Sequence, residues 1–229
     1  LRKAAVKAGA KVAFIDAVAR EYRLPVAVQI ASEPAHWAQQ LAGVLTAVIE
    51  KTGVQVGDGY STLLRGVVPT GEQRAAAEAL LAGSKRVVWL GALASRHPAW
   101  ADLRSLAVEI ARVASATVGV LAEGGNAAGA SIAGALPHRV AGGSTAAAIG
   151  LNASAMLESA QRAYLLVGAI EPQHDLAAPA VAESAFDSAA CVVALTPYAS
   201  KELLVRAHVL LPIGSFAETS GSYINLYAR

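Results

Sequence analysis

Two short stretches hold the residues with the clearest chemical potential. GAIEPQHD, residues 168–175, leaves the apolar run AYLLVG and brings Glu171, His174 and Asp175 within five positions. Two carboxylates and an imidazole at one strand end could bind a metal or move protons. A plainer reading stands beside it. Glu171 precedes Pro172, which disfavours helical backbone at Glu171, and Asp175 is placed to cap a following helix. The second stretch, GGNAAGAS (124–131), follows TVGVLA with the G-x-x-x-x-G-x-[ST] spacing of a phosphate loop. The lysine that reaches the terminal phosphates in such loops is Ala130 here. Backbone amides at a helix start could still hold an anion, but small residues in this run equally let a helix sit close on a sheet.

The rest of the inventory adds no constellation. His36, His97, His138, His174 and His208 show neither H-x-x-x-H nor H-E-x-x-H spacing, and no G-x-S-x-G elbow occurs. Cys191 lies inside ACVVAL without a neighbouring base and reads as a small core residue. A single cysteine excludes an internal disulfide and a cysteine-ligated iron–sulfur cluster within this chain. No G-x-G-x-x-G fingerprint is present, so NADH binding is not expected. The expectation is therefore no catalytic residue, no metal and no cofactor in these 229 residues.

The elements that would position such residues follow from composition and period. Hydrophobic residues make up 55% and charged residues 16% of the chain, the latter below the roughly 25% of an ordinary domain. A surface buried in a complex needs fewer solubilising charges. The longest uncharged run, Val140 to Leu157, contains three glycines and several hydroxyl and amide side chains. It fails as a spanning helix, which needs about 20 strongly apolar residues. Net charge is +2 without a basic cluster, which argues against nucleic acid. The chain starts at Leu1 with no initiator Met and stops at Arg229 inside a patterned segment, so it is expected to be part of a longer protein.

Short β-branched runs alternate with alanine-rich stretches of helical period. Strands are expected over 11–16, 25–31, 86–90, 117–122, 163–168, 190–195 and 208–212. Helices are expected over 1–9, 34–51 (with Ser32 as cap), 72–81, 98–114, 126–136, 153–160, 176–185 and 200–206. Residues 53–71, rich in glycine, read as a loop or lobe boundary. Fully apolar strands separated by helices predict an α/β fold, a doubly wound and mostly parallel sheet with helices on both faces. A partial lobe and connection over 1–67 would precede a main lobe over 68–229.

The C-terminal stretch is the most specific. AHVLLPIGSFAETSGSYIN (207–225) resembles the segment in which molybdopterin oxidoreductases, and the large iron–sulfur subunit of NADH:quinone oxidoreductase, run from a strand ending Leu-Pro into Glu-x-x-Gly-Thr-x-x-Asn. The matching positions are Leu211, Pro212, Glu218, Gly221, Ser222 and Asn225; Thr219 and Ser220 favour the quinone-reductase subunit. EGGNAAGASIAGALP is similar to that subunit's Asn-x-x-Gly-Ala run through Asn126, Gly129, Ala130, Gly134 and Pro137. AYLLVGAIEPQHD resembles its Leu-Leu-x-Gly-x-Glu-Pro-x-x-Asp through Gly168, Glu171, Pro172 and Asp175. The family continues Asn-x-Glu-Gly-Arg, whereas this chain ends Asn225, Leu226, Tyr227, Ala228, Arg229.

The resemblance implies a molybdopterin-oxidoreductase-like lobe that kept the fold and lost the cofactor. It further implies iron–sulfur clusters elsewhere in the parent chain, and partners among the peripheral-arm subunits on the cytoplasmic side of the inner membrane. Asn126, Gly129, Glu171, Asp175, Glu218, Gly221 and Asn225 would then be structural. Two alternatives stay open: the cofactor domain of an active molybdopterin enzyme such as a formate dehydrogenase or nitrate reductase, and a non-enzymatic nucleotide-binding or interaction module.

Overall fold

In a computed structural model, residues 1–224 are described except Ala122 and Ala177, with Asp58 and Thr62 described in backbone only. Asn225, the last motif position, and the four residues after it lie outside the described residues. The chain divides into two compact units, Leu1–Glu123 and Gly124–Arg229.

The first unit runs α1 (Arg2–Ala8), β1 (Ala13–Asp16), β2 (Val28–Ala31), α2 (Trp37–Thr52), α3 (Asp58–Leu63), α4 (Gly71–Leu81), β3 (Val87–Leu90), α5 (Ala92–Ser95), α6 (Trp100–Val113) and β4 (Thr117–Val120). β1 pairs with β2 and β3 with β4, both parallel. The core lies where α2 meets α4 and α6, with Leu45, Val48, Ala77, Leu106 and Ile110 nearly sealed from solvent. Ser32 does not cap α2. A 3-10 turn over Pro34–His36 delays the helix to Trp37, and the Ser32 carbonyl instead accepts from Trp37 Nε1 at 3.0 Å. Within the expected loop 53–71, six residues coil into α3. α4 opens on a capping box: Thr70 Oγ1 accepts from the Gln73 amide at 3.2 Å, and Gln73 Oε1 accepts from the Thr70 amide at 2.9 Å. The buried Gln73 amide also reaches Gln40 at 2.8 Å, over Gly43, where a Cβ would overlap it.

The second unit runs α7 (Ala127–Ala133), α8 (Ala153–Glu158), β5 (Ala163–Val167), α9 (Pro172–Asp175), α10 (Pro179–Ser188), β6 (Cys191–Thr196), α11 (Lys201–Arg206) and β7 (Val209–Pro212). β5, β6 and β7 form one parallel sheet in chain order. α10 begins on Pro179, which needs no amide partner in a first turn. Asn152 caps α8 and Ser200 caps α11, each accepting from the amide three residues on. Tyr164, Leu166, Val192 and Ala194 form the core with Ala182, Ala185 and Phe186 of α10 and Leu203 of α11. The Tyr164 and Phe186 rings meet edge to face at 5.0 Å. Arg206, largely buried, ties α11 to α10 through Glu183 at 3.0 Å and Asp187 at 3.1 Å.

The protein is thus an α/β protein in which β1 to β7, among the described residues, pair in parallel. The three-stranded sheet differs from the expectation of two covered faces. Burial alternates along β5, where Leu165 and Val167 stay exposed while Tyr164 and Leu166 are buried. Cys191, expected in the core, is half-buried on the same side as Leu165. No helix among the described residues is long and apolar enough to cross a membrane.

Candidate functional site

Two motif stretches 98 positions apart meet at Asn126. Its Oδ1 accepts the Ile224 amide at 2.8 Å, and its Nδ2 approaches the Ser222 carbonyl at 3.4 Å. Asn126 occupies the position before α7 where a side chain usually caps the helix, yet it makes no cap bond. Gly129, one turn on, leaves the room this requires. A Cβ there would overlap Asn126 Oδ1. The Asn-x-x-Gly spacing therefore has a mechanical reason: the asparagine holds the returning C-terminal segment and the glycine clears its path.

That segment is shaped by Glu218. After β7 ends at Pro212, which has no amide to donate onward, the chain turns over 214–219. Glu218 Oε2 accepts from both the amide and the hydroxyl of Ser215 at 2.9 Å, and Thr219 Oγ1 donates to the Ser215 carbonyl at 2.9 Å. Gly221 lies in the exposed stretch that follows. The paired donations from Ser215, backbone first, hold the Glu218 carboxyl below the usual carboxylate range. A depressed folded-state pKa contributes stability that is present above the unfolded value and lost as pH falls through the folded one. The Ser215 amide is therefore expected to be protected from exchange at neutral pH and to lose protection only in acid, below the ordinary range for glutamate. In Glu218→Gln that pH step should vanish; an unchanged step would assign it to another group.

Glu171 and Asp175 also meet, though not as expected. Asp175 does not cap the following helix. Its Oδ2 reaches back to accept the Glu171 amide at 2.7 Å, closing the single turn α9 on itself. Pro172, sealed from solvent, fixes that turn in place. His174 points to solvent beside them. Among the described residues no group of three or more His, Cys, Asp and Glu is arranged to hold a metal ion. The Arg206 clamp escaped the sequence reading; Glu183 and Asp187, one helical turn apart, are its signal.

At Asn126, Glu218 and Asp175 alike, a side-chain oxygen accepts from a main-chain amide and so joins backbone segments. Asn126→Ala is expected to cost about 1 kcal/mol and to speed exchange of the Ile224 amide. Gly129→Ala should reproduce it by displacing the same side chain, so the double variant adds little to either. Additive losses would break the link drawn between the two residues.

Compared with known families and curated proteins, the chain matches no family model and no curated sequence.

Proposed function

We propose that this chain is a scaffold portion of the large iron–sulfur subunit of NADH:quinone oxidoreductase, with no catalytic site of its own. In this reading it is a doubly wound, molybdopterin-oxidoreductase-like lobe. It stands among the peripheral-arm subunits on the cytoplasmic side of the inner membrane and supports electron transfer carried by clusters elsewhere in the parent chain. The observation that carries the reading is Asn126. It joins, by hydrogen bonds to Ser222 and Ile224, two of the stretches on which the resemblance rests. The one cysteine does not fit an iron–sulfur cluster, so no electron-transfer step is assigned to these residues.

The test is purification of the native parent protein under mild detergent. The expected result is co-purification with NADH:quinone oxidoreductase subunits and a cysteine-rich region preceding this one in the parent chain. A parent protein that instead carries molybdenum and a pterin would favour the active molybdopterin-enzyme reading. Calorimetry of the chain with NADH is expected to show no binding up to millimolar ligand. A micromolar dissociation constant, about −8 kcal/mol, would contradict the scaffold assignment.

A further inference from the structure

His97 lies on the loop between α5 and α6, within the unit Leu1–Glu123, and both nitrogens of its half-buried ring bond to main chain. Nδ1 accepts the Ala99 amide at 3.0 Å. Nε2 donates to the Pro34 carbonyl at 3.1 Å, 63 positions away. The partners assign the tautomer. An amide needs a bare Nδ1 and a carbonyl needs a proton on Nε2, so the ring that fits is neutral with its hydrogen on Nε2. Each partner also stands at a helix entry. Ala99 immediately precedes α6 and offers it no side-chain cap, and Pro34 opens the 3-10 turn that leads into α2.

We propose that His97 is an acid-sensitive latch, joining the entries of α2 and α6 when neutral and releasing them when protonated. It is a property of this unit and independent of the scaffold reading. A proton and the Ala99 amide compete for one lone pair on Nδ1. Protonation there leaves two N–H groups facing each other, so the ring turns away and the Pro34 carbonyl loses its donor as well. The charged ring would also stand at the N-terminal end of α6, where the helix dipole disfavours a cation. The Trp37 indole, its centroid 5.7 Å from that of the imidazole, attracts a cation and offsets part of this cost, which gives the charged ring a place to remain. The other charged and titratable groups on the segments around the ring are few. Glu33 and His36 bound the 3-10 turn and approach each other at 4.0 Å. Arg96 pairs with Glu123, and Asp102 and Arg104 lie at the start of α6. Among the described residues none of these is hydrogen-bonded to the ring. The latch therefore holds at higher pH and opens as pH falls. Opening is local, because α2 and α6 remain packed through Leu45, Val48, Leu106 and Ile110.

Imidazoles change charge between about pH 5 and pH 8, and the test compares the two ends of that range in the full chain. Corrected for intrinsic exchange, the Ala99 amide is expected to be roughly tenfold or more better protected at the upper end. Nitrogen-15 spectra there should show the His97 proton on Nε2. His97→Asn should keep the Ala99 bond, since an asparagine oxygen also accepts the amide two residues on, and should abolish the pH step. His36→Gln should leave the step in place. Equal protection at the two ends, or a His97 proton on Nδ1 at the upper end, overturns the proposal. So does a step that survives His97→Asn or disappears with His36→Gln. The spectra and the unsubstituted chain's exchange need no variant, so they decide the matter even where a variant fails to fold.

Discussion

Gly134→Ala is expected to destabilise the unit 124–229 by about 3 kcal/mol or more. Gly134 ends α7 with φ at 89°, in the left-handed region. An alanine there costs about 1–2 kcal/mol from its own Cβ against the backbone. The larger part comes from a neighbour. The added Cβ would lie 2.6 Å from Val140 C and Ala141 N, backbone atoms that cannot swing aside like a side chain end. Moving them would disturb the turn held by Arg139, whose guanidinium donates to the Gly143 carbonyl at 3.2 Å and whose backbone bridges Leu136 and Thr145. A domain has about 5–15 kcal/mol in total, so urea unfolding of the variant should show a clearly lowered midpoint. A loss under about 1 kcal/mol would mean that the 134–141 approach is not rigid.

Phe186→Ala should be worse, costing about 3–5 kcal/mol. Phe186 is 2% exposed and packs edge to face on Tyr164. Its removal opens a hole beneath β5 and β6 that Ala182 and Ala185 are too short to fill. Phe186→Leu keeps most of the volume and is expected to lose less than half as much. Equal losses for the two variants would assign the cost to the aromatic contact rather than to the cavity. Thermal or urea unfolding followed by circular dichroism separates the two.

Much of the order of elements was legible because strands and helices here differ in composition. VVWL, TVGV, AYLLV and CVVALT are β-branched and apolar, and each became a strand within two residues of its expected bounds. Caps were harder. Thr70 and Gln73 spell a capping box three apart, yet the glycine-rich setting of 53–71 masked it. Ser32 looked like a cap because serine often is one, but Pro34 starts a tighter turn first. Asp175 illustrates the same limit: a carboxylate between two helices serves either end, and only the backbone path decides. Coverage of the sheet's second face was not readable at all. An apolar strand position looks identical whether its partner lies in the chain or beyond it.

At the site, Glu218 was legible as a backbone-amide acceptor, since a turn after Pro212 leaves amides to satisfy. The partner of Asn126 was not. Nothing local in Asn-x-x-Gly announces a bond to Ile224, and Gly129 matters only because of where the Asn126 side chain goes.

The chain-order pairing of β5, β6 and β7 also sets a sequence of events in folding. Val193 finds Val209 across a shorter loop than Ala163 finds Cys191. Closure entropy grows with loop length, by about 0.6 kcal/mol per doubling, so β6–β7 is the cheaper contact to make first. Parallel pairs have no hairpin to start from, and each must wait for its crossover helix. During synthesis β7 emerges last of the three, which leaves β5 and β6 with their edges bare until it arrives. A chain stalled before Val209 would therefore leave β6 with one edge unpaired, the edge that β7 later fills, and a chaperone that binds apolar strand edges has its natural substrate at that stage.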